Sequence, residues 1–307
     1  MHAVVTGATG FIGIHLATEL VAGGHRVTGI DRKPEPAGFT WNHVTIDLAA
    51  DPGETRLADL IAPADVVFHL AARPGVRGGG RDIEHLRRRD NVVATANLLA
   101  SSPAGTHVVA TSSSSVYGGA FVGPRGPTPS AENDPVRPVG GYARSKVRME
   151  HLCTRHRQRG GSISVIRPFT VAGERQRGDM ALSIWLRALR RGEPIEILGS
   201  GDRSRDVTDV RDVVEGLIRS AEKRVNETIN LGTGIGHRLI DLARALMEVT
   251  GIHAGVVVAS APSEDVFATL ADTRRCEYLL RFAPTTDIHS LLERMVAAAH
   301  TPAMALS

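Results

Sequence analysis

Apolar residues along this chain follow two patterns that take turns. Short runs rich in valine and isoleucine are separated by stretches in which apolar positions recur every three or four residues. The first pattern reads as strand and the second as amphipathic helix. It predicts strands at His2–Thr6, Arg26–Asp31, Val44–Ile46, Val66–Leu70, His107–Ser112 and Ser162–Arg167, and helices at Gly13–Ala22, Ile83–Ala100 and about Tyr142–Arg159. Alternation of this kind implies an α/β fold: a parallel sheet with helices on both faces. The Pro- and Gly-rich stretch Gly118–Gly141 is long for a connection, and loops of that length tend to carry function. After Pro168 the alternation weakens to a helix at Met180–Arg191, a strand at Ile195–Leu198, a helix at Arg211–Ala221 and a strand at Glu227–Leu231. A small α/β lobe is expected from about Gly255, with no internal repeat or low-complexity linker.

Composition narrows the classes. With 307 residues, 42% apolar and 22% charged, the chain can bury a sizeable core. A net charge of +3 is small, and the Arg87–Arg89 and Arg155–Arg159 clusters read as solvated helix faces. Nucleic acid is therefore not an expected partner, whereas a mild basic bias suits an anionic small substrate. Two cysteines, Cys153 and Cys276, make no disulfide framework. The 13 histidines are scattered without ligand spacing, so no metal site is expected. No leader pattern and no long apolar run is present, so the expectation is a soluble, cytoplasmic protein without a membrane span.

The first strand runs into Thr6-Gly7-Ala8-Thr9-Gly10-Phe11-Ile12-Gly13. Glycines at 7, 10 and 13 allow a tight turn, close approach of a diphosphate, and close packing of the next helix on the strand. The helix N-terminus adds free N–H groups and a partial positive charge. A glycine triplet in this strand-to-helix context predicts a dinucleotide site, with Gly7, Gly10, Phe11, Ile12 and Gly13 around the phosphates. Asp31 ends the second strand, 18 residues beyond Gly13. A carboxylate there accepts from the adenosine ribose hydroxyls and repels a 2′-phosphate, which favours NAD over NADP. Arg32 and Lys33 follow at once and soften that preference. Asp47-Leu48, after the third strand, stands where it can meet the adenine, or Asp47 can cap a helix; the residues leave both readings open.

Tyr142-Ala143-Arg144-Ser145-Lys146 places Tyr142 and Lys146 one turn apart on one helix face. A free tyrosine, with a pKa near 10, is a poor base at neutral pH. A nearby ammonium and a cationic nicotinamide ring favour the phenolate, which can take the proton of a substrate alcohol while hydride leaves the same carbon. The strand His107–Ser112 delivers Ser113-Ser114-Ser115-Val116-Tyr117-Gly118 to the carboxyl end of the sheet, where such folds bind ligands. A serine there can hold the reacting oxygen.

These residues, with His69-Leu70-Ala71-Ala72, Asn91-Val92-Val93-Ala94-Thr95, Arg167-Pro168-Phe169, Arg205-Asp206-Val207-Thr208-Asp209-Val210 and Asn230-Leu231-Gly232, resemble the extended short-chain dehydrogenase/reductase superfamily, in its NAD-dependent epimerase/dehydratase branch. The resemblance covers nearly the whole chain. It implies a Rossmann domain, a doubly wound parallel sheet at 1–170 and 206–254, holding NAD. It implies a smaller lobe, at 171–205 and 255–307, holding a nucleotide sugar, and a homodimer joined through the helices at about Ile83–Ala100 and Tyr142–Arg159. Leu70, Ala71, Ala72 and Asn91 join the cofactor set, and Ser113 matches the family's catalytic Ser or Thr beside Tyr142 and Lys146.

Dehydratases of this family carry an Asp-Glu pair, and decarboxylases a Glu, where this chain has Ser114 and Ser115. That points to epimerisation. Arg167–Met180 is similar to the R-F-F-T-V-Y-G-P-W-G-R-P-D-M segment of UDP-glucuronate 4-epimerases, and Pro74-Gly75-Val76-Arg77 to their A-G-V-R. The resemblance gives Thr170 and Arg177 the sugar carboxylate, Arg77, Ser114 and Ser115 other sugar contacts, and Arg205 the UDP diphosphate. Ala172, Glu174 and Arg175 depart from the pattern, and Ala261–Val266 lacks a second diphosphate Arg.

Overall fold

The structure is a computed structural model that describes residues 1–35, 38–50, 56–75 and 82–299. Its elements run β1 (His2–Thr6), α1 (Phe11–Ala22), β2 (Arg26–Asp31), β3 (Asn42–Thr45), α2 (Leu57–Ile61) and β4 (Val66–His69). Then come α3 (Ile83–Arg87), a π-helical stretch Arg88–Val93, α4 (Ala94–Ser101), β5 (His107–Thr111) and a 3₁₀ turn Ser114–Tyr117. A two-residue hairpin, β6 (Val122–Gly123) and β7 (Gly126–Pro127), precedes α5 (Gly140–Gln158), β8 (Ser162–Pro168) and β9 (Thr170–Ala172). The rest is α6 (Ala181–Arg190), β10 (Ile195–Leu198), β11 (Ser204–Asp209), α7 (Val210–Glu222), β12 (Thr228–Leu231), β13 (Gly236–Arg238), α8 (Leu239–Thr250), β14 (Val256–Ala259), α9 (Arg274–Leu280) and α10 (Ile288–Ala298).

Seven strands form one parallel sheet in the order β12-β8-β5-β4-β1-β2-β3. The order reverses at β1, between β2 and β4. In doubly wound sheets the crevice beyond the strand ends at that reversal is where ligands bind. All five residues of β5 and all four of β4 are buried, as expected of central strands covered on both faces. One face packs on α1 and α7 through Leu16, Leu20, Val213 and Leu217. The other packs on α2, α4 and α5 through Leu57, Ile61, Leu98, Met149 and Cys153. Each large aliphatic side chain buried here contributes roughly 1.5–3 kcal/mol.

A second core forms around α6, α8, α10 and β10. Leu182, Trp185, Leu186 and Leu189 of α6 lie at the three- and four-residue spacing that gathers one helix face. Helix α8, inside the stretch 206–254, packs in this core through Leu242, Ala243 and Leu246. The motif Arg205–Val210 ties the two cores together. Buried Asp206 accepts the N–H groups of Thr233, Gly234 and Ala271, and Asp209 caps α7 by accepting from Arg211 N–H at 2.9 Å.

Among the elements expected from the sequence, two differ in form or position. The helix expected at Ile83–Ala100 is interrupted by the π-helical stretch, whose wider turn changes which side chains face the sheet. The third strand sits slightly earlier, at Asn42–Thr45, because it pairs in register with Thr28–Asp31.

Candidate active site

A cavity of about 830 Å³ opens over the carboxyl ends of β1, β2, β4 and β5 and reaches the second core. Gly7, Gly10, Phe11, Ile12, Gly13, Asp31, Arg32, Asp47, Leu48, Leu70, Ala71 and Ala72 all line it. Gly7 has φ +71°, and a Cβ there would lie 2.7 Å from the backbone nitrogen of Ala71. A Cβ on Gly13 would lie 2.1 Å from the Gly7 carbonyl oxygen, so only glycine lets α1 start this close to β1. Gly10, at the N-cap of α1, offers no side-chain cap. The first-turn N–H groups are left for an anion, and the donor set fits a dinucleotide diphosphate.

Asp31 accepts the N–H of Thr9 at 3.1 Å on one oxygen and that of Lys33 at 3.1 Å on the other. Asp47 accepts Ala49 N–H at 3.0 Å, capping a turn while still lining the cavity, and its other oxygen is paired with Arg89. Among the described residues no helix begins there, and the next, α2, starts at Leu57. Asn91 lies behind the cavity wall. It accepts the N–H of Arg73 at 2.6 Å and donates to Ser145 at 2.8 Å, so it braces the loop after β4 against α5. Arg77 lies outside the described residues.

The catalytic candidates converge over the carboxyl end of β5. Helix α5 begins at Gly140, φ +79°, and a Cβ on Gly141 would fall 1.6 Å from the Glu84 carboxylate, so α5 starts hard against α3. Its first two turns carry Tyr142 and Lys146 into the cavity. Lys146 Nζ is buried and donates to the Thr111 carbonyl at 2.7 Å, 6.0 Å from the Tyr142 ring centre. Burial lowers its pKa to about 8. The Tyr142 phenol is pushed up by burial, against a hydrogen bond with Ser113 and the positive charges of Arg177 and Arg87, which all pull it down. Ser113 Oγ accepts Ser115 N–H at 3.1 Å, leaving its own proton to donate toward Tyr142.

Ser114, Ser115, Thr170, Arg177 and Arg205 line the same end. Arg177 holds Asp179 through two bonds, Nε to Oδ1 at 2.9 Å and Nη2 to Oδ2 at 2.7 Å. Arg205 donates to Asp265 at 2.6 Å and to the Val266 carbonyl at 2.8 Å. The segment that lacks an arginine thus supplies a carboxylate that anchors one. Three further features were given no site role from the sequence. Arg175 lies over the Phe39 ring at 5.5 Å with φ +64° and lines the cavity. Glu150 and Arg167 pair beneath α5. Asp90 gathers three arginines at the Asp31 end of the cavity. Arg167 stands in the Arg167-Pro168-Phe169 motif, Arg175 at a departure from the epimerase pattern, and Asp90 follows three consecutive arginines; Glu150 carries no such signal.

Residues 3–232 match the NAD dependent epimerase/dehydratase family. The chain belongs to that family. It is an NAD-dependent nucleotide-sugar enzyme of the epimerase/dehydratase group. The uncharacterized UDP-glucose epimerase YtcB of Bacillus subtilis (strain 168) is 32% identical over 97% of this chain and 97% of its own length. The solved structure of MoeE5 in complex with UDP-glucuronic acid and NAD is 36% identical, with TM-score 0.88 over 97% of this chain and 99% of that one. The UDP-glucuronic acid 4-epimerase from Bacillus cereus, in complex with UDP-glucuronic acid and NAD, is 28% identical, with TM-score 0.87 over 97% and 98%. Decarboxylases of UDP-linked uronic acids are relatives of similar likeness. Among the described residues, no helix is long and apolar enough to cross a membrane.

Proposed function

We propose that this enzyme is a 4-epimerase of UDP-glucuronate, forming UDP-galacturonate. The observation that carries the reading is the pairing of Tyr142 and Ser113 with the charge of Arg177 in electrostatic reach, beside a serine run without a carboxylate. The nucleotide sugar places its C4 hydroxyl between Tyr142 and Ser113, with its diphosphate toward Arg205. The Tyr142 phenolate takes the hydroxyl proton and later returns it, and Ser113 holds the oxygen. Lys146, fixed on the Thr111 carbonyl, anchors the second turn of α5 and supplies positive charge. NAD, when bound across the glycine loop, accepts the hydride from C4, adds the charge of its ring, and gives the hydride back on the other sugar face.

The 4-keto uronic acid is a β-keto acid and loses CO₂ readily when its carboxylate can turn out of the carbonyl plane. Thr170 and Arg177 hold that carboxylate in this reading, and a guanidinium fork suits two-point contact. Ser114 and Ser115 offer no carboxylate for elimination. The active form is a cytoplasmic homodimer through α3–α4 and α5, which sedimentation tests.

The deciding experiment is incubation of the purified protein with UDP-glucuronate, without added NAD, and chromatography of the products. UDP-galacturonate is the expected product. A UDP-pentose with CO₂ makes the enzyme a decarboxylase. Turnover of UDP-glucose alone removes the carboxylate role of Arg177.

A further inference from the structure

Arg32 follows directly on the carboxylate that faces the adenosine ribose, where a cation would welcome a 2′-phosphate. Its guanidinium is engaged elsewhere: Nη1 donates to Asp90 Oδ2 at 3.1 Å. Asp90 is 7% exposed and lies within the π-helical stretch. The same oxygen accepts Arg73 Nε at 2.7 Å, and the other accepts Arg89 Nη1 at 2.6 Å. Arg89 is shared in turn with Asp47. Around the adenosine end, then, three guanidiniums are bound to the protein's own carboxylates. Asp31, Arg32, Asp47 and Asp90 all face the same cavity.

The π-helical stretch explains how one side chain gathers so much. In an α-helix successive side chains diverge by about 100°. A wider turn closes that angle. Arg89, Asp90 and Asn91 accordingly point more nearly the same way, toward the ends of neighbouring strands: Arg89 to Asp47, Asp90 to Arg32 and Arg73, Asn91 to the backbone of Arg73.

We propose that Asp90 is a specificity residue for the dinucleotide: by holding Arg32 in an ion pair, it denies a 2′-phosphate its cation, while Asp31 repels that phosphate. A phosphate entering here would meet two carboxylates and would have to draw Arg32 off a buried partner. NAD asks only for acceptors at its ribose hydroxyls, which Asp31 supplies. The inference rests on the dinucleotide lying across the glycine loop with its adenosine at Asp31, and is independent of which sugar is turned over.

The test equilibrates the purified enzyme with mixtures of NAD and NADP, then quantifies the dinucleotide released on denaturation. Asp90→Asn is expected to raise the bound NADP:NAD ratio by roughly three- to five-fold, the upper end of what one exposed ion pair contributes. Adding Arg32→Ala to Asp90→Asn returns the ratio to that of the parent. Adding Lys33→Ala leaves the gain in place, because Asp90 does not hold Lys33. Arg32→Ala alone leaves the ratio within about two-fold, since the side chain is already withheld. That variant changes a half-exposed side chain and decides the matter even where Asp90→Asn does not fold. An unchanged ratio in folded Asp90→Asn, a gain that survives removal of Arg32, or a fall in bound NADP with Arg32→Ala alone each overturns the proposal.

Discussion

Glu150 and Arg167 meet through two bonds, Oε1 to Nε at 2.9 Å and Oε2 to Nη2 at 2.7 Å, under the helix that carries Tyr142 and Lys146. Ser112 donates to the same carboxylate at 2.5 Å, and Arg167 also donates to Tyr117 Oη at 2.8 Å. The pair thus fixes α5 to the ends of β5 and β8, one turn below Lys146. Removing one partner strands a buried charge. Arg167→Ala should lose about 3–5 kcal/mol in urea unfolding. Replacing both residues by Leu should recover a large part of that loss. A loss under about 1 kcal/mol for the single change would show that the pair is not structural.

Tyr142→Phe should cut turnover by roughly 10²- to 10⁴-fold while the enzyme keeps its bound NAD. Ser113→Ala removes a hydrogen bond that pulls the Tyr142 phenol down. Its proton is then held to higher pH, so the ascending limb of kcat/KM against pH should move in the alkaline direction. An unmoved limb with an unchanged rate would remove Ser113 from the reaction.

Arg177→Ala should raise KM for UDP-glucuronate by about ten-fold, the scale of one charge-assisted contact. The same variant should release UDP-pentose and CO₂ that the parent does not, because the keto acid is no longer pinned. KM for UDP-glucose should stay where it was. Equal effects on the acidic and neutral sugars would place Arg177 away from the carboxylate.

His69 sits buried between Thr6 Oγ1 at 2.8 Å and Thr95 Oγ1 at 2.9 Å. Burial, and then the charge of Lys146, lowers its pKa to about 3 from 6.5. Between those values the unfolded chain binds the proton and the folded one does not. Its contribution is therefore fully present above pH 6.5 and declines as pH falls toward 3. At pH 5 the loss is about 2 kcal/mol. His69→Gln removes the titration, so urea stability should fall less between pH 7.5 and pH 5 by about that amount. Parallel slopes in variant and parent would show that His69 is not the group responsible.

The sheet was legible because its strands are continuous apolar runs, and the glycine loop because only glycine satisfies Gly7 and Gly13. Tyr142 and Lys146, which line the cavity, were legible from their spacing only together with the glycine loop upstream. Helix α8 was not assigned, although Leu239, Leu242, Ala243 and Leu246 repeat at helical spacing; attention to strand–helix alternation passes over a helix that packs on other helices. The π-helical stretch has no composition signature, since hydrogen-bond register does not depend on any one residue type. Nor can a sequence show that Asp90 holds Arg32, or that Asn91 faces away from the cavity, because both depend on which way that turn aims its side chains.

The Arg177–Asp179 pair bears on selectivity. A carboxylate arriving on a sugar does not find a bare cation; it displaces or joins one already satisfied from two residues away. The net attraction is thus a difference between two ion pairs, one of them partly in solvent. A neutral sugar leaves the resident pair intact and forgoes only that difference. In the proposed reaction Arg177 makes the two sugars unequal, and the hold of Asp179 on it limits by how much.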